Sequence, residues 1–175
     1  MRKIAAIALC LMLPGSALAE SVGEKTGVNS LIGTSPSTQD FVTEAAISDM
    51  FEIQTSKLTQ EKKDSQANAF AQKMIADHTG TTDAIKAMVQ SGKVKAEIPA
   101  SMDSSHQSKL ESLKALNGAE FEKQFRTDQI SGHKDAVDLY KRYANGGDNA
   151  DLKAFAQKTL PTLEQHQKMA DELAK

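Results

Sequence analysis

Four residues in this 175-residue chain have the chemistry of a metal shell: Glu52, His78, His133 and His166. Three neutral imidazoles and one carboxylate suit a single divalent transition ion (Zn, Fe, Mn, Ni or Cu), and no sulfur ligand is required. Each of the four falls on the inward stripe of a different amphipathic segment. Buried without partners they would be costly, and a metal or a closed hydrogen-bond network would offset that cost. Asp49, Thr82, Gln129 and Thr162 lie about one turn away on the same faces, where such groups orient ligands. Met74 and Met169 could lend thioether to copper, although methionine more often fills core space. His106, in the first turn of a short helix, reads as a capping or surface residue and stands outside the set. Three readings remain open: one metal ion in the core, a metal-free polar network of the same side chains, or histidines at the surface unrelated to one another. No nucleophile motif, phosphate loop or His-Glu-x-x-His pair points to a hydrolase.

The elements that must position these residues follow from period and caps. Ser37 with Asp40 opens a helix that runs to about Lys63. Asp64 or Ser65 is the expected cap of a second helix to Gln90, stopped by Gly92. Asp103 caps a short helix through Leu116. A fourth helix runs from about Ala119 to Asn145-Gly146-Gly147, and Asp148 or Asn149 caps the last. Pro161 lies inside that last helix, where a kink is expected because the apolar phase continues across it. Ala69-Phe70-Ala71-Gln72-Lys73 recurs as Ala154-Phe155-Ala156-Gln157-Lys158, and each copy opens the second helix of a hairpin. At ~1.5 Å per residue the long helices measure about 40 Å, a length the connector carrying the short helix can cross. The resulting expectation is an all-α, ferritin-like four-helix bundle: two antiparallel hairpins joined by a long crossover with a short extra helix.

Arg2 and Lys3, the apolar run Ile4 to Leu13, and Ala17-Leu18-Ala19 have the pattern of a cleaved signal peptide, residues 1–19. Residues 20–36, rich in Gly, Ser and Thr, read as a flexible leader, and 37–175 as the bundle domain. Cys10 is the only cysteine, so the mature chain has no thiol. Removing Arg2 and Lys3 from the 21 basic residues leaves 19 against 23 acidic ones, a net charge of −4. Without a basic block, nucleic acid is not an expected partner. No later apolar run reaches membrane length. The expectation is a soluble periplasmic protein, not membrane-spanning after cleavage, with a homo-oligomer or an envelope protein as the open partner classes.

From Phe41 onward the chain resembles the domain of unknown function 4142 family of exported bacterial proteins, often labelled outer membrane proteins. The match rests on Phe41-Val42, Ala45-Ala46, Met50 and Glu52, then Ala69-Phe70-Ala71-Gln72 through Asp77-His78-Thr79. It continues with Asp128-Gln129 and His133, then Leu152-Lys153-Ala154-Phe155-Ala156 through Leu160-Pro161-Thr162-Leu163 to His166. The resemblance implies a ferritin-like helical bundle and carries no activity. The outer-membrane label is at odds with a chain that shows neither a barrel's strand pattern nor a lipid anchor. The wider ferritin-like class implies di-iron chemistry built on Glu-x-x-His, but Ile75, Ile130 and Leu163 stand three before the histidines here. One metal ion is the expectation, in a non-enzymatic, metal-binding or stress-associated bundle. The alternatives are an envelope scaffold or binding module with a structural polar network, and a mononuclear-metal redox enzyme.

Overall fold

A computed structural model describes residues 21–25, 28–62 and 67–173. The expected signal peptide and the expected caps Asp64 and Ser65 lie outside the described residues. The described residues form seven helices: α1 (Val22–Lys25), α2 (Val28–Ile32), α3 (Thr38–Glu61), α4 (Asn68–Gln90), α5 (Ser104–Ala115), α6 (Gly118–Gly146) and α7 (Ala150–Leu173). The described residues are all-helical, with no strand among them.

Local chemistry accounts for the helix boundaries. Ser37 Oγ accepts from the Asp40 amide at 3.1 Å, which starts α3. Asp103 Oδ1 accepts from the His106 amide at 2.8 Å and starts α5. Asn149, rather than Asp148, caps α7, its Oδ1 accepting from the Leu152 amide at 3.0 Å. α4 begins at Asn68 with no side-chain cap. Gly92, at φ 75°, lets the chain leave α4 through a left-handed turn. α7 runs through Pro161 as one helix.

Residues 21–36, expected to lack regular structure, carry the two short helices α1 and α2. Polar ties to the main body, invisible to a periodicity argument, hold this segment. The Ser21 amide donates to Asp40 Oδ1 at 2.8 Å, Ser30 Oγ to Asp138 Oδ2 at 2.8 Å, and Arg142 Nη1 to the Thr34 carbonyl at 2.8 Å.

The four long helices form a closed ring of neighbours, with α3 against α4, α4 against α7, α7 against α6 and α6 against α3. The six residues between α3 and α4, and the three between α6 and α7, make each pair an antiparallel hairpin. Phe41 meets Tyr140 and Tyr143 at 4.8 and 4.4 Å between ring centroids, while Thr55 meets Gln129, so α3 and α6 are antiparallel too. α4 and α6 therefore run parallel. The connector between them carries α5, which seals one side through Leu110 and Leu113.

The core has two apolar clusters. One gathers Phe41, Val42, Ile85, Leu139, Tyr140, Tyr143, Leu152 and Leu163. The other gathers Phe51, Phe70, Met74, Leu113, Phe121, Phe125 and Ala170. Met74 is thus core filler, with Met169 packed on the edge of the same cluster. Along every long helix the candidate polar residues fall between positions belonging to the two clusters. Asp49 and Glu52 lie between Ala45 and Leu58, His78 between Met74 and Ile85, His133 between Phe125 and Ala136, and His166 between Leu163 and Ala170. Since α7 carries one of these groups, its start matters to the layer. Asn149→Ala removes the cap and is expected to lower the unfolding free energy by about 1 kcal/mol in urea titration, with the m-value unchanged.

Candidate metal centre

His78 on α4, His133 on α6 and His166 on α7 are 1–2 % exposed. Each offers a ring nitrogen, and these atoms all lie within 4.8 Å of one another. Ring centroids stand 5.7 Å apart for His78–His133 and 5.5 Å for each of the other two pairs. Donors around one tetrahedral ion at ~2.05 Å stand ~3.3 Å apart, so a metal would draw the three rings together by about 1 Å.

Hydrogen bonds on the outer nitrogens determine which nitrogen is free. His133 Nδ1 donates to the Gln129 carbonyl at 2.8 Å, an acceptor that admits only the protonated nitrogen and leaves the Nε2 lone pair free. His78 Nδ1 donates to Asp49 Oδ1 at 2.7 Å, and the other oxygen of Asp49 accepts from Thr81 and Thr82 at 2.7 and 2.9 Å. His166 uses the opposite edge. Its Nε2 donates to Asp77 Oδ2 at 2.7 Å, an oxygen that also takes Lys73 Nζ at 2.7 Å. The remaining nitrogens, His78 Nε2, His133 Nε2 and His166 Nδ1, are buried with no hydrogen-bond partner among the described residues. Each such group costs about 1–3 kcal/mol when left unmet.

Glu52 is 2 % exposed in the same layer but is not one of the converging residues. Its Oε2 has no partner among the described residues. A Cβ built on Gly132 would stand 3.0 Å from its Oε1, so the carboxylate lies against the bare backbone of α6 beside His133. Its charge reaches both His78 and His133.

Of the residues expected to orient ligands, Asp49 does so directly, and Thr82 does so through Asp49. Gln129 acts through its backbone carbonyl, while its side-chain amide donates to Thr55 at 3.3 Å. Thr162 makes no bond to His166; it lines a groove beside that ring, and Asp77 takes its expected place. Asp77 and Thr81 were not singled out by phase. Asp77 precedes His78 by one residue, about 100° around the helix, and so faces α7 rather than the core stripe. His106 is half-buried on Asp103, with its ring 5.4 Å edge-on from Phe51, apart from the cluster.

Burial pushes the imidazoles toward the neutral form, and their surroundings separate them. For His166 burial dominates, aided by the neighbouring His78 and His133 against the Asp77 bond, and its pKa falls to about 4. His133 is also lowered, chiefly by burial, with Glu52 opposing. For His78 burial is outweighed by the Asp49 bond and by the charges of Asp49, Glu52 and Asp77, and its pKa rises. For Asp77, burial is overcome by the bonds from Lys73 and His166, and its pKa falls.

The arrangement defines a class: an all-helical bundle, over the described residues, with a buried cluster of three histidines that could hold a metal ion. The chain matches Domain of unknown function (DUF4142) over residues 24–173 and belongs to that family. No curated protein and no solved structure matches it. Among the described residues no helix is long and apolar enough to cross a membrane.

Two outcomes test this geometry. In the metal-free protein His166 should stay neutral down to about pH 4, while His78 should protonate above its ordinary pH, as read by imidazole NMR titration. Because the unfolded chain takes up a proton at His166 near the ordinary value and the folded chain only near 4, its contribution to stability is lost as pH falls through that window. At Gly132, alanine should give none of the ~1 kcal/mol gain normal for a helix interior, because its methyl group would displace Glu52. A Gly132→Ala protein that melts higher would contradict the placement of that carboxylate.

Proposed function

We propose that this is an exported helical-bundle protein that binds one divalent transition ion in its core through His78, His133 and His166. The observation that carries this reading is the convergence of three buried, unpartnered imidazole nitrogens whose tautomers are held by outer hydrogen bonds. Such outer bonds orient ligating imidazoles and raise their basicity. Glu52 supplies the nearby negative charge, and after a side-chain rotation it is the fourth ligand in the same proposal. The donor set suits Zn, Fe, Mn, Ni or Cu and does not choose among them. The long helices are proposed to form a ferritin-like four-helix bundle spanning residues 37–175, a reading supported by the two hairpins and the crossover carrying α5. Export to the periplasm is proposed from the basic, apolar and small-residue pattern of residues 1–19.

A second reading, a metal-free polar network serving an envelope scaffold, draws support from the bonds of Thr81 and Thr82 to Asp49. The two readings part on metal. The mature protein, purified without a histidine tag, should hold close to one equivalent of metal by elemental analysis. At a free metal concentration ~100-fold above Kd the stabilisation is about 2.7 kcal/mol, or roughly 5–10 °C in Tm, and a chelator should reverse it. His133→Ala should abolish both effects. Substoichiometric metal with an unchanged Tm under every loading condition would sink the metal reading and leave the network.

A further inference from the structure

We propose that the groove between α4 and α7 is the port by which a hydrated divalent cation reaches the three imidazoles, with Asp77 as the carboxylate that first receives it. The proposal rests on the metal reading above and adds a route to it. The groove encloses about 370 Å³ and opens to solvent, and its lining includes Ala76, Asp77, Gly80, Thr159, His78 and His166. That space exceeds the ~30 Å³ share of one water many times over, so a cation can enter with its hydration shell. Both histidines are at most 2 % exposed, and each has one ring nitrogen without a partner. The groove wall therefore includes two of the three histidines, and their unpartnered nitrogens are buried behind it.

Among the described residues, both ends of the histidine layer and its α3–α6 side are filled. Ile85, Tyr140 and Leu163 fill the core on one side of the histidine layer, and Phe70, Met74 and Phe125 fill it on the other. Between α3 and α6 the layer is packed with Glu52, Thr55 and Gln129, all at most 2 % exposed. α4 and α7 are the least closely packed of the four neighbouring pairs.

Gly80 gives the groove a sequence mark. It lies inside α4, where glycine costs about 1 kcal/mol relative to alanine. A Cβ built there meets nothing within 4 Å, and its φ is ordinary, so neither close packing nor backbone conformation requires glycine. It stands in the open wall of the groove. Ala76 and Ala84, four residues to either side, keep the same wall low.

Asp77 and His166 connect the groove to the cluster. Asp77 Oδ2 holds one nitrogen of His166, Nε2, and the other, Nδ1, is buried without a partner. A cation that displaces the half-exposed Lys73 ammonium from Asp77 is then one imidazole away from the other two ligands.

Filling the groove should change the rates of metal exchange without changing the end states, because a route affects only the barrier. Gly80→Phe and, on the opposite wall, Thr159→Phe are compared with wild type by stopped-flow uptake of Zn²⁺ or Co²⁺ and by chelator-driven release. Gly80→Ala serves as a mild control that should melt higher. Expected are unchanged stoichiometry, an equilibrium constant within about three-fold, and uptake and release both slowed about ten-fold or more in the Phe variants. Wild-type stoichiometry near one with unslowed exchange in both Phe variants overturns the port and leaves the metal site intact. A wild type that binds no metal overturns the metal reading, and the port with it.

Discussion

Each of the three buried imidazoles has one nitrogen committed to an acceptor at the edge of the layer, and the rest of the layer depends on that constraint. An imidazole has two ring nitrogens roughly opposite each other, so engaging one directs the other. Asp49, the Gln129 carbonyl and Asp77 lie on three different helices, and together they aim three lone pairs at one region. If any of the three acceptors were lost, its ring could turn or exchange tautomers. The convergence within 4.8 Å would then have nothing to maintain it.

The two apolar clusters supply what the hydrogen bonds cannot. They flank the polar layer along every long helix and bury it from both ends. This raises the cost of the unmet nitrogens and strengthens the interactions of any charge placed among them. Burial is the first cause acting on all three rings, yet they do not titrate alike. His78 has Asp49, Glu52 and Asp77 around it, and these outweigh desolvation, whereas the single bond of His166 to Asp77 does not. A divalent cation would act on all three in one direction, since ligation requires each nitrogen deprotonated. Metal affinity in such a layer weakens on acidification, first through the ring whose proton is held most tightly.

Helical phase made the three histidines legible before any coordinates, because a 3.6-residue stripe that runs through Met74, His78 and Ile85 leaves the imidazole nowhere to point but inward. The same reasoning placed Asp49 and Glu52 inside. It could not separate their roles, which depend on side-chain direction rather than phase: Asp49 turns to α4, and Glu52 lies against Gly132 on α6. Asp77 escaped because its face belongs to the α4–α7 boundary, and a boundary exists only once the helices are assembled. The part played by Gln129 passes through its backbone carbonyl, and residue type carries no signal for that. The short helices α1 and α2 were illegible for a related reason. Their ties to Asp40, Asp138 and Arg142 are long-range and polar, with no periodic trace.

The repeated Ala-Phe-Ala-Gln-Lys packs alike in its two copies, yet the layer they flank is not symmetric. Each copy opens the second helix of a hairpin, and the two helices run in opposite directions. Phe70 accordingly enters one apolar cluster, while Phe155 packs against the other, across the histidines. A duplicated metal half-site would then present equivalent ligands from α4 and α7, but His78 turns Nε2 inward and His166 turns Nδ1. Their partners differ as well: α3 brings Asp49 and Glu52 into the layer, whereas α6 brings His133 and Gln129. The repeat therefore places the aromatic packing, while unlike neighbours set how each imidazole is held. With one side acidic and the other imidazole-rich, the donor set has neither the paired carboxylates nor the symmetry of a two-metal centre, and three convergent nitrogens fit a single ion.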